Sequence, residues 1–287
     1  MNKKIKDLEK RGILNFRWKA VLEQPKTRIG LIVVLIFVFF AIFAPLIAPN
    51  DPLLVNVANK LKGPSAAYWL GTDQLGRCIA SRLIWGSRYS LSYSATVLGI
   101  TLLVGVPIGL LSGYIGGKFD AAVMRIIDIF IAMPSFVVAL AIAGTLGASG
   151  GNIVLAMSCV YWSGYARLAR AMTIQVKEQN YILALRAGGC SNGNILFRHV
   201  LKNIAPSIIA LAAMEIGTII LAIAGFSFIS LGVQPPTPEW GIMLSDCRNY
   251  IQTAPHLMVY PGVAIILIVM AFNLLGEGIN NGISAES

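Results

Sequence analysis

Between Ile129 and Ala166 the chain runs 38 residues without a single charged side chain. About 20 apolar residues already suffice for a helix to cross roughly 30 Å of hydrocarbon. The stretch therefore reads as two membrane-crossing helices, divided at the turn-forming Gly147-Ala148-Ser149-Gly150-Gly151. Other long stretches follow suit: Ile29–Asn50, Tyr89–Gly117 and Asn249–Gly276 carry no charge, and Asn203–Val233 carries only Glu215. Composition agrees, with 13% of the 287 residues charged and a mean hydropathy of +0.72. A soluble domain has about 25% charged residues, so a water-soluble enzyme is excluded, and so is a disordered chain.

The expected fold is all-α: a polytopic membrane protein with six transmembrane helices, over about 29–48, 91–114, 121–146, 152–171, 205–231 and 259–279. Ahead of this membrane domain (29–287), residues 1–28 hold nine Lys or Arg interleaved with Ile5, Leu8, Phe16, Trp18, Val21 and Leu22. They read as a basic amphipathic helix on the cytoplasmic surface, with a disordered basic tail as the alternative. The first span is not a cleavable signal: its apolar core is too long, and no clear small-residue cleavage site follows. With both termini cytoplasmic, 17 Lys and Arg fall inside and six outside, which is the favoured orientation.

Three connections exceed simple turns: 49–88 and 232–258 outside, and 172–204 inside. The inner one carries a helical run over Gln179–Ala187, a break at Gly188-Gly189, and a second run over Asn194–Lys202. Two short basic helices joined at a glycine pair suit docking of a partner protein; an interfacial hairpin on lipid headgroups fits the same residues. In the outer 238–254 segment, Trp240, Met243 and Tyr250 mark either an outer gate or a docking face for a binding protein.

The inner run Tyr181-Ile182-Leu183-Ala184-Leu185-Arg186-Ala187-Gly188-Gly189-Cys190-Ser191, followed by Phe197-Arg198-His199-Val200-Leu201, resembles the cytoplasmic "EAA" loop of ABC importer permeases. In order along residues 25–280, Trp69-Leu70-Gly71-Thr72-Asp73, Gly76-Arg77, Tyr165-Ala166-Arg167 and Pro236-Thr237-Pro238-Glu239-Trp240-Gly241 resemble the C-type permease subunit of the oligopeptide/dipeptide/nickel family. The resemblance implies a type I importer permease of the bacterial cytoplasmic membrane. Its partners would be a homologous second permease, two ATP-binding subunits and an extracytoplasmic solute-binding protein, with no nucleic acid involved. It also implies an ATPase-coupling role for Tyr181, Ala184, Arg186, Gly188, Gly189 and Arg198. Leu183 and Leu185 depart from the family's Glu and second Ala, Lys202 from its common Pro, and Cys78 from its Asp.

No catalytic residue or metal site is expected on this chain. The nearest approach to a P-loop, Gly113-Tyr114-Ile115-Gly116-Gly117-Lys118-Phe119, has the wrong spacing and lacks the terminal Ser or Thr. ATP and Mg would therefore reside on the partner subunits. His199 and His256 read as loop residues, and the four Cys as free thiols. Gly105, Gly109, Gly113 and Gly117 form a four-residue stripe suited to close helix packing. Pro107 and Pro134 are expected to kink their spans.

Two acids fall within spans, where an unpaired charge costs on the order of 3 kcal/mol. Asp128 is expected to pair structurally with nearby Arg125. Glu215, near mid-bilayer, fits three readings: lining a path for a cation, an inter-helix hydrogen bond, or protonated burial. Both acids are candidates for the translocation path. The residues around Glu215 and Gly225 are more similar to the nickel branch than to the dipeptide branch, so nickel or a metal chelate is the expected cargo. A dipeptide or oligopeptide is the alternative. A gradient-driven secondary transporter is a distant rival, since neither inverted repeats nor paired helix breaks are visible.

Overall fold

The computed structural model describes residues 24–284. The amphipathic segment expected over residues 1–28 lies, up to residue 23, outside the described residues. The helices are α1 (Pro25–Ile47), α2 (Ile79–Ile115), α3 (Gly117–Ile131), α4 (Ser135–Leu146), α5 (Gly150–Lys177), α6 (Asn180–Ala187), α7 (Asn192–Phe228), α8 (Trp240–Cys247) and α9 (His256–Ser284). No strand occurs among the described residues; Thr72 and Cys78 make one isolated bridge.

Four of these helices, α1, α2, α7 and α9, are long and apolar enough to cross a membrane. The expected third span is not one helix. It is the pair α3 and α4, bent by 79° at the break. Pro134 stands at the break: it cannot donate a backbone hydrogen bond, and it disfavours helical geometry in the residue before it. Pro107, by contrast, stays inside the continuous α2. The fourth expected span corresponds to α5, which has 28 residues but carries Arg167, Arg170 and Lys177 in its second half. The turn between α4 and α5 forms as expected. Gly147 has a φ of +88°, and the Ser149 hydroxyl caps α5 by accepting from the Asn152 amide at 3.0 Å.

Small residues set the helix spacing. On α2, a Cβ at Gly105 would meet the Trp162 carbonyl at 2.5 Å, and one at Gly109 the Ala166 carbonyl at 2.1 Å. One at Gly113 would meet the Arg170 carbonyl at 2.7 Å. These glycines let α2 and α5 touch backbone to backbone, as small-residue stripes do in lipid. Gly117 is not part of the stripe; it opens α3 with a φ of +60° and has open space around it. Gly30 plays the same packing role between α1 and α9. The outward faces carry the apolar residues: Ile29, Ile32, Leu35, Phe39, Leu103, Ile126, Ile129, Ile266 and Met270 lie on the surface, the pattern of a bundle solvated by lipid.

The second helical run of the glycine-jointed segment is not a separate short helix. Asn192–Asn194 and a π-helical turn at Ile195–Val200 run straight into the long helix Leu201–Phe228. Only α6 stands alone between α5 and α7.

Candidate functional site

At one end of α2 sits the glycine-jointed knuckle. Tyr181 and Ile182 on α6 are buried in the main core, and the Asn203 side chain donates to the Tyr181 hydroxyl at 3.3 Å. That anchored flank leaves the opposite flank outward. Leu183 and Phe197 are 47% and 61% exposed, and Ala184, Arg186, Gly188, Gly189 and Arg198 are exposed beside them. Gly189 adopts a φ of +81° with open space around it, so the joint depends on glycine for its backbone and not for room. Three contacts tie the knuckle and the end of α5 to the end of α2. The Tyr114 hydroxyl donates to Asn192 Oδ1 at 2.9 Å, the Arg186 guanidinium lies 5.9 Å from the Tyr114 ring centre, and Lys177 Nζ donates to the Gly113 carbonyl at 2.8 Å. The knuckle is thereby tied to α2 and α5 as well as to α7.

Midway along the bundle, a cavity of about 550 Å³ opens between the α3–α4 break, α5 and α7. Ile131, Ser135, Tyr161, Tyr165, Glu215 and Thr218 line it. Glu215 is half-buried. No hydrogen bond or salt bridge from the described residues reaches its carboxylate. Asp128 is not in this lining. It sits on the surface and pairs with Arg167, not with Arg125 as its sequence neighbourhood suggests. Arg125 lies less than one turn away on the same helix, whereas Arg167 comes across from α5. A second pair lies nearer the end of α3: the Arg170 guanidinium holds Asp120 with two bonds of 2.5 Å, and Ser112 donates to the same carboxylate.

The other end of α2 carries a polar cluster that sequence reasoning missed. Arg77 Nε bonds Asp73 Oδ2 at 2.6 Å, and Arg77 Nη2 bonds Asp246 at 2.9 Å. Arg82 approaches the same two carboxylates at 3.6 and 3.5 Å. Two positive and two negative charges, nearly all buried, join the 49–78 segment and α2 to α8. The i,i+4 spacing of Asp73 and Arg77 is visible in the sequence; Asp246, 169 residues from Arg77, gives no local signal. Beside the cluster, burial and then the Asp246 charge push the Cys247 thiol up to about 12. Cys78 and Cys247 are both buried and free.

Trp240 is fully buried. Its indole N–H donates to the Leu83 carbonyl at 3.1 Å, and its ring meets Phe37 edge-on at 5.6 Å. Gly86 makes room for it, since a Cβ there would stand 2.5 Å from the ring. Met243 is also buried. Neither side chain offers a surface to a binding protein in this conformation; both fasten α8 to the bundle. Tyr250 is half-buried under Lys60, whose ammonium lies 5.5 Å from the ring centre. Glu239, unremarked as a functional residue in the sequence, caps α8. Its carboxylate accepts from the Ile242 amide and the Ser90 hydroxyl, each at 3.1 Å. Burial raises its pKa, and those hydrogen bonds oppose the rise.

Comparison with known proteins accords with this architecture. Residues 105–285 match the family described as the binding-protein-dependent transport system inner membrane component. Residues 18–64 match the N-terminal TM domain of oligopeptide transport permease C. The dipeptide transport system permease protein DppC of Alkalihalophilus pseudofirmus is 40% identical over 94% of this chain and 90% of its own length. The nickel transport system permease protein NikC of Escherichia coli K12 is 36% identical over 93% and 94%. The glutathione transport system permease protein GsiD of Pectobacterium atrosepticum is 38% identical over 94% and 90%. The chain belongs to the binding-protein-dependent inner membrane components, as a C-type permease of the oligopeptide/dipeptide/nickel group of ABC importers.

Proposed function

We propose that this chain is one half of a two-permease channel that imports a short peptide across the bacterial cytoplasmic membrane. It crosses the membrane six times, with α5 and the bent pair α3–α4 as the less regular spans and both termini cytoplasmic. Two partner ATPases bind nucleotide and seat on the knuckle around Leu183, Gly189 and Phe197. Their closure moves α6 as a rigid body, a discrete transition between two packings, and α2, α5 and α7 follow. The end bearing α8 then opens to a solute delivered by an extracytoplasmic binding protein, and hydrolysis resets the bundle. The chain itself performs no covalent chemistry.

The observation that carries the cargo assignment is the cavity at Glu215. It offers one half-buried carboxylate among hydroxyls and apolar walls, enough for a single cationic group on an organic solute. A bare divalent cation calls for several ligands at once. The α-ammonium of a peptide meets the site with one charge, and relatives named for dipeptide and glutathione transport stand beside the nickel one. This reverses the order in which the sequence ranks the two cargoes. A metal chelate is the second reading, supported by the resemblance of the residues around Glu215 and Gly225 to the nickel branch.

Uptake of labelled Ala-Ala, free nickel and a nickel chelate, each measured in cells with and without the gene for this chain, tests the assignment. The expected outcome is a defect of at least tenfold for the dipeptide alone. A defect confined to nickel or its chelate contradicts it.

A further inference from the structure

Glu215 is not the only polar group on this cavity without a hydrogen bond among the described residues. Tyr165, reached from α5, lines the same space; the residue is 8% exposed, and its hydroxyl is buried with no hydrogen-bond partner among the described residues. An unpaired buried hydroxyl is unfavourable, and native structures pair the large majority of such groups. Replacing it with a ring hydrogen would remove that penalty at no loss of packing. One cavity therefore holds two groups of opposite preference: a half-buried carboxylate from α7, suited to a cation, and an unpartnered hydroxyl from α5, able to donate. Close packing against Gly105 sets the base of the Tyr165 side chain, whose Cβ would stand 3.0 Å from a Cβ on that glycine.

We infer that Tyr165 is a specificity-determining residue, which donates a hydrogen bond to the carboxylate of a zwitterionic solute while Glu215 receives its ammonium group. This rests on the peptide reading above and sharpens it. The cavity would read both ends of the molecule and discriminate against solutes that lack the anionic end. A hydrogen bond to a charged acceptor is roughly twice as strong as one to a neutral acceptor, so loss of the hydroxyl falls hardest on the free acid.

The test is uptake by cells expressing the complete importer, with labelled Ala-Ala and its C-terminal amide compared in wild type and Tyr165→Phe. The binding protein is the same in both strains, so any change in the acid-to-amide ratio arises in the permease. The expected result is a rise of about tenfold in the half-saturating concentration for Ala-Ala in Y165F, a smaller change for the amide, and little change in maximal rate. The purified Y165F complex should be at least as heat-stable as wild type, because the lost hydroxyl has no partner among the described residues. If wild type imports Ala-Ala and Y165F leaves the acid-to-amide ratio unchanged, the inference falls alone. A less heat-stable Y165F complex also overturns it, by showing a structural partner for the hydroxyl. If wild type imports neither peptide, the peptide reading falls and takes the inference with it.

Discussion

Asp246 sits between two arginines and is the acceptor through which both reach α8. Removing one member of a buried ion cluster leaves the others uncompensated, a change that costs about 3–5 kcal/mol for well-buried pairs. Asp246 is 19% exposed, which places it at the lower end. Asp246→Ala should therefore destabilise the purified complex by about 3 kcal/mol, read as a clear drop in melting temperature in detergent. Lys26→Ala breaks the pair with Glu277, whose partners are 57% and 48% exposed; such surface pairs are worth little, and its melting temperature should stay at wild type. Equal effects of the two substitutions would mean that the α8 cluster is not the clamp described. Single residues were the least legible level of the molecule. Glu215 stands out from its isolation among apolar residues, yet the sequence points Asp128 to Arg125 where the fold supplies Arg167, and gives Asp246 no partner. Sequence displays neighbours along one helix, whereas these pairs form between helices.

At the scale of elements, α2 offers an internal comparison. Gly109 and Gly99 occupy the same helix, but a methyl group at Gly109 would stand 2.1 Å from a backbone carbonyl, while one at Gly99 meets nothing within 4 Å. Gly109→Ala should prise α2 from α5 and destabilise by about 1–3 kcal/mol, as overpacking does. Gly99→Ala should be neutral or stabilising by up to about 1 kcal/mol through helix propensity. Thermal melts of the two variants decide, and a neutral Gly109→Ala would refute the backbone contact. The helices themselves were legible because absence of charge over 20 or more residues leaves few alternatives. The stripe at Gly105, Gly109 and Gly113 was legible from its spacing. The kink expected at Pro134 is present as the 79° bend, but the sequence did not separate it from Pro107, which stays within a continuous helix, because a proline reads alike whether neighbours hold the helix together around it or let it part. The merging of Asn194–Lys202 into α7 was hidden for a related reason: a π-helical turn leaves no compositional mark.

For the whole molecule, membership of the importer-permease family explains why the chain has so little chemistry of its own. It has an anchored knuckle at one end of α2, a solute-sized cavity part-way along, and a charged clamp at the other end, all joined by helices that pack backbone to backbone. On the proposed function, such a body transmits displacement and takes its work from a separate source. The most direct test places the purified chain and its second permease in liposomes with binding protein and labelled Ala-Ala, with and without the two ATPases. Accumulation is expected only when the ATPases and ATP are both present, and it should vanish with a non-hydrolysable nucleotide. Sustained accumulation by the permeases alone, on an ion gradient or none, would contradict the account.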